Sequence, residues 1–456
     1  MITKYYAVIT VVFTLAILFS SQTIGDKPRS ALSRSFVGNK NESRSQLTDN
    51  VSELGSQQNA VSDRSEGRLS SDGTMSGVTL RRTRVYDAKG LQEPKSVLWK
   101  TPKLFTLEPE VAYSIPNQYR VLIRHDISYY GAKNIITAGK EAYFMQNVNN
   151  KESLFVIDLQ AGEAKKTFRL LGDYFSLPTV AGDMLFVGAH KGGFYAFDRR
   201  DWKSKWEIDK KDYDFSGGVP AVADGLVYFG GSKIIYEPSG PYFYNSEKIK
   251  GSLHAVDALT GTQKWIFTIN GFPTPVAVAD GVIYFGDQDR HLFALNAKDG
   301  KEIWRFKASD NIVIPAIMDG RVFFSDRGGN LYAVDLANGK AVWKAATKNK
   351  VATVLAVYNK MVYYGGEKNG IYAVDALTGQ EKWAYRTTKR CPAPVAANGV
   401  IYVGCEDSTL LAIDAESGHE RWKYITPSPP YSHPVIGNGV IYYLGEEGVM
   451  YALGSS

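Results

Sequence analysis

AVDALTGTQKW (255–265), ALNAKDGKEIW (294–304), AVDLANGKAVW (333–343), AVDALTGQEKW (373–383) and AIDAESGHERW (412–422) are five copies of one phrase. Each places Ala first, Asp or Asn two residues later, Gly four after that and Trp four further on. The tryptophans, Trp265, Trp304, Trp343, Trp383 and Trp422, follow one another at intervals of 39, 39, 40 and 39 residues. A fixed period of this length marks a repeat architecture in which each unit is one supersecondary element.

A second phrase precedes four of these copies and the final MYAL (450–453): VPAVADGLVYFG (219–230), TPVAVADGVIYFG (274–286), IPAIMDGRVFFS (314–325), APVAANGVIYVG (393–404) and HPVIGNGVIYYLG (433–445). Asp-Gly or Asn-Gly between β-rich runs signals a tight hairpin, because glycine supplies the positive φ the turn needs. Each repeat then gives four short strands: one up to the turn, the VYFG-like run, the YAVD-like run and the run carrying Trp. A four-stranded antiparallel sheet about every 40 residues is a propeller blade. Equivalent turns fall near 140, 183, 225, 281, 320, 360, 399 and 439, so eight blades are expected. The first is degenerate, with Lys166 where Trp belongs; the second keeps Trp206 but has Trp202 at the Gly position. The last repeat ends at MYAL (450–453), before a fourth strand, while SVLWK (96–100) carries Trp99 in a fourth-strand context. The expectation is an all-β, eight-bladed propeller over 96–454 whose last blade is completed by the N-terminal strand, leaving no open sheet edge at the seam.

Composition agrees with many short strands: 12% aromatic residues, 28 Tyr and 43 Gly. A net charge of +6 from 53 basic and 47 acidic residues gives no dense basic surface, which argues against a nucleic-acid partner. Residues 1–25 hold Lys4 and the apolar run AVITVVFTLAILF, expected to be a cleaved export signal or a retained signal anchor. Residues 26–95 are rich in Ser, Asn, Gln and Arg with few aromatics and read as a disordered linker. The chain is therefore expected to be exported, periplasmic or extracellular, with membrane contact only through the N-terminal segment.

The phrase A-x-D-x-x-[ST]-G-x-x-x-W resembles the repeat of the pyrroloquinoline-quinone (PQQ) propeller superfamily. The resemblance assigns Trp99, Trp206, Trp265, Trp304, Trp343, Trp383 and Trp422 a structural docking role. Two branches of the superfamily matter: quinoprotein dehydrogenases that bind PQQ and calcium in the central funnel, and non-enzymatic propellers such as the outer-membrane assembly lipoprotein. The turns here are 39–43 residues apart with one interval of 56, leaving little chain for a deep active site. Cys391 and Cys405 are fourteen residues apart, not the adjacent pair common in the dehydrogenases. The expected function is thus a non-enzymatic scaffold without cofactor; a quinoprotein dehydrogenase with PQQ and calcium is the alternative.

No catalytic or metal constellation emerges from spacing. The six histidines lack metal-ligand spacing, His254 reads as a packed strand residue, and the Asp287–Asp289 pair falls short of the oxygens calcium needs. Cys391 and Cys405 flank the Asn398-Gly399 turn and would face each other across a three-residue turn, a candidate disulfide against the reading of two small buried hydrophobes. The blade connectors and one long insertion (232–251) gather aromatics on one face: Tyr174, Tyr213, Phe215, Tyr242, Phe243, Tyr244, Phe272, Tyr431 and His433. Large, rigid loop aromatics suit protein contact, so an extracytoplasmic protein or peptide is the expected partner.

Overall fold

In a computed structural model, the structure describes residues 85–86, 93–101, 135–148, 151–169, 176–190, 193–209, 214–215, 218–239, 244–347, 354–366, 370–430, 432–437, 439–446 and 448–454. The expected signal segment 1–25 and almost all of the expected linker lie outside these residues.

Strands fall into eight sheets, seven of them following chain order from a short first strand to an outer fourth strand. Seven blades are contiguous: 135–169, 179–208, 221–270, 277–307, 316–346, 356–386 and 395–425. The eighth takes Val435–Gly437, Val440–Leu444 and Met450–Gly454 and is completed by Ser96–Lys100 from the other end of the chain. First strands of neighbouring blades approach one another, including those of blades eight and one, so they form the inner wall of a closed ring. Hydrophobic clusters lie between the blades; Tyr402, Tyr442 and Ile135, for instance, belong to one cluster spanning blades seven, eight and one.

Each residue of the repeated phrase has a local cause. The Asp accepts hydrogen bonds from the backbone two and three residues on, as Asp257 does from Leu259 and Thr260, and so shapes the turn into the outer strand. The Ala is small because Trp is its cross-strand partner: Ala255 faces Trp265, Ala294 faces Trp304 and Ala412 faces Trp422. The indole N–H crosses to the next blade. Trp265 Nε1 donates to the Ala297 carbonyl at 3.0 Å, Trp304 to Leu336 at 3.0 Å and Trp343 to Ala376 at 2.9 Å. The Gly lies under the indole of the preceding blade. A Cβ on Gly300, at φ 70°, would fall 2.6 Å from the Trp265 ring.

The seam obeys the same rules. Trp99 faces Ala452, and its Nε1 donates to the Leu159 carbonyl of blade one at 3.0 Å. Gly162 of blade one lies under its ring. One side chain therefore completes blade eight and latches it to blade one.

Blades one and two break the phrase together. Lys166 replaces the docking Trp and is exposed, and Val156 stands opposite it instead of Ala. Trp202 replaces the Gly that would lie beneath that Trp, at φ 60°. Its ring packs against Tyr143 and Phe168 of blade one, with centroids 6.5 and 5.1 Å away. In other blades the strand-two aromatic meets its own blade's Trp, as Tyr228 meets Trp265 at 5.9 Å. Here the indole comes from the opposite side of the interface.

Candidate binding face

A blade exposes two kinds of loop end. The hairpin end carries the first-to-second and third-to-fourth strand turns. The connector end carries the links between blades and the second-to-third strand turns.

At the connector end, described links are fastened to the tips of their blades' second strands. Ser176 Oγ accepts from Gly188 N at 2.9 Å, Thr274 Oγ1 from Gly286 N at 2.8 Å and Ser432 Oγ from Leu444 N at 2.8 Å. Blade seven fastens the same place covalently, through a disulfide between Cys391 and Cys405 with Cα atoms 4.1 Å apart. The turn between them has two residues, since Ala397 pairs with Val400, so the cysteines are offset by one position from the direct opposition a three-residue turn would give.

Blade three differs most. The insertion expected as a loop is a β-hairpin: Leu226–Ser239 and Tyr244–Asp257 pair continuously from Leu226↔Asp257 to Ser239↔Tyr244. The outer strand of the blade reaches only Lys250. The six residues 244–249 therefore extend as a two-stranded ribbon about 20 Å past the blade. Alternation was hidden in this segment because Pro238-Ser239-Gly240-Pro241 at its centre reads as a loop.

Among the expected contact residues, Phe215 is a correction. It is 1% exposed and offers no surface to a partner. Its ring plugs the space between blades two and three, edge-on to Phe229 at 5.5 Å and to His254 at 5.5 Å, and Gly188 and Gly231 leave room for it. Aromatic character on a connector does not report which way the ring turns, and here the apolar gap was the stronger attraction. Phe272 and His433 are half-buried. Tyr174, Tyr213, Tyr242, Phe243 and Tyr431 lie outside the described residues, and of Tyr244 only the backbone is described, in the ribbon.

The polar residues singled out in the sequence serve local structure. His254 hydrogen-bonds Ser252 at 2.7 Å and stacks on Phe229 at 5.2 Å. Asp287 accepts from His291 N at 2.8 Å and pairs with its ring at 3.2 Å, closing the turn after strand two, while Asp289 accepts from Asn270 at 2.9 Å. Burial pushes the Asp287 carboxyl up despite these partners. Among the described residues no three His, Cys, Asp or Glu side chains gather as a metal site.

At the hairpin end, a cleft of roughly 430 Å³ opens between blades one and two, lined by Glu141, Lys165, Asp183, Arg199 and Arg200. Sequence reasoning missed it, because its residues come from four separate turns and strands. Glu141 accepts from Lys165 at 2.6 Å, from Arg199 at 2.7 Å and from the Tyr143 hydroxyl. Arg199 also donates to Tyr143 Oη at 2.6 Å and to the Gly182 carbonyl at 2.7 Å. Burial would raise the Glu141 carboxyl, but the bonds from Lys165, Tyr143 and Arg199 outweigh it and hold it below the usual range. The cluster stands where the Trp dock is absent, an ionic fastening in place of an indole.

The sequence matches the family described as outer membrane protein assembly factor BamB over residues 96–240, 249–324 and 308–455. The chain belongs to this BamB-type family of PQQ-like propellers. No curated protein matches it. Among solved structures, BamB from Moraxella catarrhalis is similar with a TM-score of 0.52 at 14% identity, covering 68% of this chain and 94% of that one. The quinohemoprotein alcohol dehydrogenase from Comamonas testosteroni gives 0.62 at 13% identity, covering 86% and 82%. A europium-containing methanol dehydrogenase gives 0.59 at 13% identity, covering 84% and 89%. At these identities the structural likenesses speak for the fold, which BamB-type and dehydrogenase propellers share.

Proposed function

We propose that this chain is a non-enzymatic, extracytoplasmic scaffold that holds a protein partner of the outer-membrane protein assembly machinery against its connector face. The observation that carries this reading is the ribbon of blade three. A two-stranded ribbon standing clear of its sheet is marginal in water, and both of its edges carry unpaired backbone groups. Such an element is suited to adding a partner's strand or to lying across a partner's surface. Tyr174, Tyr213, Tyr242, Phe243, Tyr244, Phe272, Tyr431 and His433 fall on the same connectors and ribbon and are the proposed contacts. The family description supports a role in assembly and, with it, export; attachment through the N-terminal segment is part of the proposal.

The test replaces residues 234–249 with a two-residue turn and, separately, substitutes Tyr213, Tyr242 and Tyr431 with Ala. Co-purification with the outer-membrane assembly complex is read beside the melting temperature. Loss of co-purification in both variants at unchanged melting temperature is expected. Full co-purification by both would contradict the reading. In parallel, stoichiometric uptake of PQQ with calcium, with dye-linked alcohol oxidation, would favour the dehydrogenase alternative.

A further inference from the structure

The inner wall of the ring carries a strand that no repeat supplies. Val85–Tyr86 pairs in parallel with the first strand of blade seven, Val85 opposite Ala396 and Tyr86 opposite Ala397, and also lies against the first strand of blade six. A first strand spends one edge on its own blade and turns the other toward the central channel, with its backbone groups open to another strand. Blade seven offers the small floor Val395, Ala396 and Ala397 at that edge. Ala397 is 1% exposed, whereas its equivalents Ala138, Ala223 and Ala279 in other blades are 5–7% exposed. This accords with the further strand that pairs with blade seven. The disulfide falls in the same blade: Cys391 lies four residues before this strand and anchors its entry to the tip of the next one.

Chain direction agrees with the pairing. Being parallel to a first strand, Val85–Tyr86 runs from the connector end toward the hairpin end. Three antiparallel steps separate Ser96–Lys100 from the first strand of blade eight, so Ser96 starts at the hairpin end. The nine positions 87–95 reach about 33 Å when extended, against about 14 Å from the inner to the outer strand of a blade.

We propose that the channel-facing edge of blade seven is a strand-addition site for an extended peptide, and that the chain's own segment around Val85–Tyr86 is its resident occupant in cis. The site is separate from the connector face, so either can fail without the other. A pairing of only two residues is short, and a longer apolar strand can displace it. Recognition is by backbone hydrogen bonds over a floor of small side chains, with Val or Tyr-like residues in the occupant.

Hydrogen exchange on the full chain is the first measurement. Amides of 84–87 are expected to exchange at least tenfold more slowly than in a free peptide of residues 81–90. In the V85P/Y86P variant, which lacks both N–H donors, protection of 395–397 falls. That variant then binds the synthetic 81–90 peptide one-to-one, at least tenfold more tightly than the wild type does. Free-peptide exchange rates at 84–87 in the wild type would overturn the proposal, as would a folded variant that takes no peptide. Protection that grows with protein concentration would place the occupant on a second copy and overturn its assignment in cis. Should the variant not fold, the wild-type exchange still decides.

Discussion

Trp202 and Lys166 explain each other. Position eleven of one blade's phrase stacks on position seven of the next, so a ring lost at Lys166 leaves a slot and a ring gained at Trp202 fills it from the far side. Both irregularities stand in the sequence, yet their connection needs the contact between neighbouring blades, which spacing within a repeat does not reveal. Trp202→Gly should destabilise the ring by about 2 kcal/mol, less than for a fully buried indole because the side chain is half-buried. Lys166→Trp alone forces two indoles into one slot and should also destabilise, by about 1–3 kcal/mol. The double variant restores the ordinary pair and should recover most of both losses in a denaturation cycle. Additive losses would break the link.

Glu141 makes a pH-dependent contribution at the same interface. Its carboxyl is held below its ordinary value in the fold, so the unfolded chain binds the proton more readily. The stability it provides is fully present above the unfolded value of about 4.3 and is lost as pH falls through the lower folded value. Glu141→Gln should therefore melt lower than wild type at pH 7, with the gap narrowing below about pH 4. A constant gap from pH 7 to pH 3 would show that the carboxylate charge is not the stabilising feature.

At the scale of elements, blade seven is fastened by a cystine where blades two, four and eight use a hydroxyl. The cross-link closes a loop of about fifteen residues, for which chain entropy suggests about 3 kcal/mol. Cys391→Ala/Cys405→Ala should lower the urea midpoint accordingly, and added reductant should then have no further effect. Both cysteines are buried, so a mild reductant should leave the folded wild type intact. The flanking of a hairpin turn made this pair legible from sequence even with the turn length off by one. The ribbon of blade three was legible only as extra length, because its pairing runs through a Pro-rich centre. Shortening it at Lys233 and Lys250, where the outer strand ends, should leave stability within about 0.5 kcal/mol of wild type. A larger loss would mean that the ribbon is part of the ring's own packing.

For the whole molecule, the Ala-Asp-Gly-Trp register made eight blades and their closure readable, since each residue has one recurring contact. SVLWK carried the same signal at the wrong end of the chain, and Trp99 facing Ala452 is that signal realised. Val85–Tyr86 carried none: two residues in a polar stretch have no periodicity, and their partner edge exists only once the ring has closed. The binding face and the channel both depend on that closure. Its most direct test compares the melting temperatures of chains lacking residues 1–90 and 1–101. The first deletion spares Ser96–Lys100 and should melt within a few degrees of the full chain, whereas the second should melt far lower or fail to fold. Equal melting of the two would contradict a ring sealed by Trp99.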